Sequence, residues 1–109
     1  MIKANIIRDR NGLIWGFTIK GHSGFAEKGK DIVCAAVSAL AYTAAGALDE
    51  LAGVRDYTER DGFMKCSVPS DISAENRAKA DIILETLAIG LKQIEEAYKE
   101  FIVVVEEEV

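Results

Sequence analysis

Two cysteines, Cys34 and Cys66, and a single histidine, His22, are all that 109 residues hold of those residue types. Two thiols are too few for the disulfide framework of a small secreted domain. One histidine and two cysteines do not make the four-ligand spacing of a zinc site, so no metal and no other cofactor is expected. Phosphate-loop, dinucleotide and serine-hydrolase signatures are absent as well. Basic side chains are outnumbered, 13 against 18 acidic, for a net charge of −5, and Glu106, Glu107 and Glu108 stand close to the end. Phosphate contacts need clustered Lys and Arg, which argues against nucleic acid as a direct partner. A basic polypeptide would be steered toward such a surface, although ordinary solubility accounts for the same charge. Met1-Ile2-Lys3-Ala4-Asn5 opens on a strand-like pattern, with no apolar signal core and no small-residue cleavage site. The expected compartment is therefore the cytoplasm, where thiols stay reduced.

Residues 32–48 carry no charge. They are mostly Ala with Ser, Thr and Gly, and short against the roughly 20 strongly apolar residues that a bilayer crossing takes. They are read as a buried central helix, and no membrane partner is expected. The composition, 50% hydrophobic and 28% charged, is globular. Neither linker nor low-complexity segment divides the chain, so residues 1–109 form one domain.

Residues 2–9 and 13–20 read as paired strands. In the second, Leu13, Trp15, Phe17 and Ile19 alternate with Ile14, Gly16, Thr18 and Lys20, the period of a sheet. Asn11-Gly12 marks a hairpin between them. Residues 21–30 are a loop with glycines at 21, 24 and 29; Asp31 caps a helix that runs to about residue 51 and stops at Gly53. Residues 54–60 and 62–68 form a second hairpin around Asp61-Gly62, ended by Pro69. Ser73 caps a second helix, in which Ala80, Ile83, Leu84, Leu87, Leu91, Ile94 and Tyr98 make one apolar stripe. Phe101 to Val105 reads as a short strand covered on both faces. The order ββαββαβ predicts an α+β fold, a single-domain two-layer sandwich of one mixed sheet packed against two long helices.

The chemistry gathers in residues 21–40, GHSGFAEKGKDIVCAAVSAL. With Asp31 as N-cap, Cys34 is the third helical residue, in the turn whose amides point outward and whose dipole favours an anion. A thiol there can become a nucleophile if a base is near; a small buried hydrophobe is the plainer reading of a lone cysteine. His22 lies in the loop and supplies the one side chain that titrates near neutrality unperturbed. The strand ends where the helix begins, so the imidazole is expected to reach Cys34, take its proton, and later protonate a leaving amine. Two roles are open to Asp31: capping amides of the helix start, or turning to His22 to fix its tautomer. Ser38, one turn beyond Cys34, either packs or supports the site. Gly21, Gly24 and Gly29 let the backbone approach a substrate, let the loop move, and offer amides to an oxyanion. Cys66 alternates with Met64 and Val68 and reads as core.

The block resembles the signature of the ribosomal-processing cysteine protease family, Prp: Gly21-His22, Gly24, Ala26, Gly29, Asp31-Ile32-Val33-Cys34-Ala35-Ala36 and Ser38 fall in place without a gap. The flanking hairpins, the long second helix and the chain length are similar in pattern. The resemblance implies a cytoplasmic bacterial endopeptidase, usually a homodimer, with Cys34 as nucleophile and His22 as base. Its implied substrate is a large-subunit ribosomal protein precursor with a short N-terminal extension, cut after a hydrophobic stretch ending in aromatic residues. The resemblance leaves the roles of Asp31 and Ser38 open. Two rival functions are a non-catalytic ribosome-assembly adaptor that binds the same extension and a small-molecule thiol hydrolase.

Overall fold

The computed structural model describes residues 1–27 and 29–109, so residue 28 of the expected loop lies outside the described residues. Along the chain run β1 (Ile2–Arg8), β2 (Ile14–Lys20), α1 (Ile32–Ala52), β3 (Asp56–Arg60), β4 (Phe63–Ser67), α2 (Ala74–Ala97) and β5 (Ile102–Glu108), the expected ββαββαβ order. The five strands form one sheet in the order β3-β4-β2-β1-β5. β1 pairs parallel with β5, and the other neighbours are antiparallel. A parallel neighbour cannot be reached by a tight turn, so α2 carries the chain back across the sheet to set β5 beside β1.

One face of the sheet is buried beneath both helices. Ile2, Ala4 and Ile6 of β1 point into the core while Lys3, Asn5 and Ile7 do not, the alternation of a half-covered sheet. Phe17, Ile6, Ile14, Leu48, Leu84, Leu91, Ile102 and Val33 are the largest fully buried side chains. Each of them contributes about 1.5–3 kcal/mol of transfer free energy. The helices meet closely at Gly90, where an added Cβ would lie 2.8 Å from Leu40 Cδ1.

Three expectations need correction. First, β2 does not alternate throughout. Ile7 pairs with Gly16 and Arg8 with Ile14, so Trp15 is skipped and the register shifts. This bulge puts Ile14 on the same buried side as Phe17 and Ile19 and leaves Trp15 half-buried. Asp9 holds the tight curvature through the amides of Asn11 and Leu13 and the Trp15 indole, so the first hairpin has a longer loop than Asn11-Gly12 alone. Secondly, β5 is an edge strand: Ile102 is buried, whereas Val103, Val104 and Val105 are half-buried and the strand continues into glutamates. Thirdly, α1 is buried along one stripe, Val33, Val37, Ala41, Ala44, Leu48 and Ala52, while Ile32, Tyr42 and Leu51 are exposed. Its length and mean hydropathy of 1.6 would also suit a membrane span. Its far side faces a groove that opens toward β3 and β4.

Candidate active site

The start of α1 is built by Asp31. Its Oδ1 accepts a 2.9 Å hydrogen bond from the Cys34 amide, the N-cap geometry, and its backbone carbonyl accepts from Ala35 N at 3.0 Å. Its Oδ2 accepts from the Ser23 hydroxyl and, at 3.5 Å, from the Ala26 amide. Burial opposes a charge here, but the Ser23 hydroxyl and the amides of Cys34 and Ala26 outweigh it and hold the carboxyl down to about 2. Of the two roles open to this residue, capping is the one present in the resting molecule. The Cys34 amide is thereby committed to the cap and is not a free donor for an oxyanion.

Ser23, which the sequence did not single out, is buried against this cap. Its amide donates to Cys34 Sγ at 3.3 Å, and its hydroxyl lies 3.7 Å from the same sulfur. The half-buried sulfur therefore faces an amide donor from the loop as well as the positive end of α1. The loop is pinned a second time by Phe25, whose ring stands edge-on to Phe101 at 5.2 Å and to Tyr98 at 5.9 Å. Its glycines give it turns, all with positive φ, but this half of the loop is anchored to the body.

Every sequence-predicted site residue lines one cavity of about 730 Å³: Gly21, His22, Gly24, Gly29, Asp31, Cys34 and Ser38. Ile19 and Met64 of the sheet, Val37 and Ala41 of α1, and Phe63 give it an apolar lining, and Tyr42 with Glu59 closes the far end. Tyr57 donates to Glu59 at 2.5 Å and Tyr42 bonds the same carboxylate, which ties α1 to β3.

His22 and Cys34 share the cavity but, among the described residues, are not hydrogen-bonded to each other. Among the described residues, the sulfur's hydrogen-bond partners are on Ser23 and the Asp31 carboxylate, and the imidazole is not one of them. The ring is 62% exposed and leans toward the β3–β4 turn, with Nε2 3.9 Å from Asp61 Oδ2. The expected thiol–imidazole hydrogen bond is therefore not formed in the resting structure. Cys66 is buried in β4, where desolvation, with the nearby Asp56, pushes its thiol up to about 11. Among the described residues no group of three or more His, Cys, Asp or Glu side chains could hold a metal ion.

A thiol at a helix start, a nearby base and an apolar groove suit acyl transfer from a peptide. Comparison with known proteins agrees. The family model for cysteine protease Prp matches residues 1–103. The ribosomal processing cysteine protease Prp of Bacillus subtilis (strain 168) is 37% identical over 103 residues, covering 92% of each chain. The crystal structure of an essential ribosomal processing protease Prp from S. aureus with a covalently linked product peptide superposes with a TM-score of 0.87 at 30% identity, covering 98% of this chain and all of the other. The same S. aureus protease with a substrate peptide gives a TM-score of 0.81 at 29% identity, again over 98% of this chain and 100% of that one.

Proposed function

This chain belongs to the cysteine protease Prp family, and from that premise we propose that it is an endopeptidase that removes the N-terminal extension of a large-subunit ribosomal protein precursor. The observation that carries the reading is Cys34, set at the start of α1 with its sulfur toward an apolar-lined groove that His22 also lines. An extended peptide lies in that groove, its hydrophobic and aromatic side chains against Ile19, Val37, Phe63 and Met64.

In the reaction, the Cys34 thiol gives its proton to the His22 imidazole as sulfur attacks the scissile carbonyl. A carbon–sulfur bond forms and the carbonyl electrons move to oxygen. When the tetrahedral species collapses, the C–N bond breaks and the imidazolium protonates the leaving amine. Water, deprotonated by the same imidazole, then cleaves the thioester and frees the thiol. The Ser23 amide, 3.3 Å from the sulfur, steadies negative charge on it before attack. The amides of Gly24 and Gly29, both at the cavity wall, bind the oxyanion, whereas the Gly21 amide is committed to the Gly62 carbonyl.

The setting is the cytoplasm and the working form a homodimer, without nucleic acid or membrane as direct partner. Two free thiols suit a reducing compartment, and a net charge of −5 suits a basic precursor. Exposed Ile82 and Ile89, two turns apart on α2, suit a self-association that light scattering would detect as a doubled mass. The test of function is incubation with peptides that span an aromatic-ended extension, followed by mass spectrometry. Cutting by the native chain and none by Cys34→Ala is expected. Binding by both without products would support the adaptor instead.

A further inference from the structure

Past the apolar part of the groove stands a carboxylate fixed by two phenols. The Tyr57 hydroxyl donates to Glu59 Oε2 at 2.5 Å, and the Tyr42 hydroxyl of α1 bonds the same carboxylate. Tyr42, with Tyr57, holds the Glu59 carboxyl below its usual value, so the group is ionised at neutral pH. A carboxylate has about four acceptor positions, so two phenols leave it open to further donors. Among the described residues, no Lys or Arg lies within ion-pair distance of Glu59. Arg60, the neighbouring cation, stacks over the Phe63 ring at 4.1 Å instead. The nearby acids are placed differently: Asp31 is held by Ser23 and the helix start, Asp49 pairs with Arg55, and Asp61 stands beside His22.

We propose that Glu59, flanked by the rings of Tyr42 and Tyr57, is a specificity subsite for a basic side chain of the peptide, upstream of its apolar stretch. The inference rests on the protease reading and names the chemistry of one substrate position. The ammonium or guanidinium head of the incoming residue reaches the carboxylate, while its methylene stem lies along the phenol rings. The two hydroxyls order the carboxylate before the peptide arrives, which lowers the entropy that binding must spend on it.

The helix sets the register. Tyr42 follows Cys34 on α1 by about 12 Å along the axis. An extended peptide advances about 3.3 Å per residue, so the basic side chain stands about four residues before the scissile bond. The apolar residues between them lie against Val37, Phe63 and Met64. The peptide is cut after that stretch, so the Glu59 end of the groove takes residues nearer its N-terminus. A second cavity of about 320 Å³, lined by Tyr42, Tyr57, Ala45, Gly46 and Val54, gives the chain room to continue. Tyr42 and Tyr57 are 49% and 41% exposed, so the pair formed has the strength of a surface ion pair.

The test is a set of otherwise neutral peptides with an aromatic-ended apolar stretch, carrying one lysine at successive positions before the bond to be cut. Norleucine, which keeps the stem and lacks the charge, replaces that lysine in the control set. For the native chain, KM is expected to be lower with lysine than with norleucine by roughly two- to fivefold at about the fourth position, at low salt. The value of kcat is expected to be the same for both. Glu59→Gln keeps an acceptor for the phenols; it is expected to treat the two peptides alike, with native kcat and thermal midpoint. Glu59→Lys is expected to reverse the preference, favouring a glutamate at that position over a lysine. Equal KM for lysine and norleucine at every position would overturn the proposal, as would a lysine preference that survives in Glu59→Gln. A Glu59→Gln chain that loses thermal midpoint and raises KM equally for both peptides would also overturn it, as a purely structural effect. The two readings fail separately. A native chain that cuts none of the peptides sinks the protease reading, while the affinity of Cys34→Ala for the lysine and norleucine peptides still decides the subsite.

Discussion

The Asp31 carboxylate, though buried, accepts one side-chain hydroxyl and two amides, and these bonds keep it ionised to about pH 2. Its folded value lies below the ordinary 3.8, so its contribution to stability is complete above about pH 4 and disappears as pH falls toward 2. Asp31→Asn keeps an acceptor for the Cys34 amide and removes the charge. The native chain is expected to lose thermal stability between pH 4 and pH 2 more steeply than the variant, as calorimetry at stepped pH will show. Parallel curves would contradict the account of the cap. Turnover of the variant near neutrality is expected to stay within a few-fold of native, because the bonds of Asp31 run to Ser23 and the helix start and Asn keeps an acceptor for the Cys34 amide. At this scale the candidate residues were legible, since Cys34, His22 and Asp31 are near one another in sequence and a capping pattern places them. Ser23 was not, because a small hydroxyl beside a histidine has no pattern that marks it until the loop folds back on the sulfur. Nor was the Asp61–His22 contact, which joins the β3–β4 turn to the loop between β2 and α1.

Helices and strands carry the site through packing that is remote from it. Leu84 of α2 is fully buried and belongs to the same core as Val33 of α1, the residue directly before Cys34. Leu84→Ala is expected to lower unfolding free energy by about 2–5 kcal/mol, the cost of a cavity in a well-packed core. Denaturant titration measures it; a loss below about 1 kcal/mol would mean that the helix layer is looser than its burial implies. Both caps, both helix spans and the Asp61-Gly62 turn followed from local signals, because side chains within four positions decide them. The errors lie where partners distant in sequence decide. Trp15 leaves the strand period because Asp9 accepts its indole N–H and the neighbouring amides, a bulge that no alternation pattern records. The apolar run of β5 suggested two covered faces, but it pairs at the outer side of β1 and ends the sheet. α1 looked suited to full burial by its alanines, yet those small side chains on its exposed side border the groove instead.

On the scale of the whole molecule, two layers meet at one open end. The sheet carries His22 at the end of β2, the helix layer carries Cys34 at the start of α1, and the β3–β4 hairpin closes over both. The resting sulfur sits on Ser23 and the resting imidazole beside the hairpin, at opposite sides of the groove in which the proposed peptide lies. The most direct measurement of this account is the covalent intermediate itself. A peptide ending its apolar stretch in aromatic residues is mixed with the chain, quenched in acid within the first turnover, digested and mapped by mass spectrometry. The account predicts an acyl adduct on Cys34, with none on Cys66, whose thiol burial pushes up to about 11. Products formed with no adduct on Cys34, or formed equally by Cys34→Ala, would contradict it.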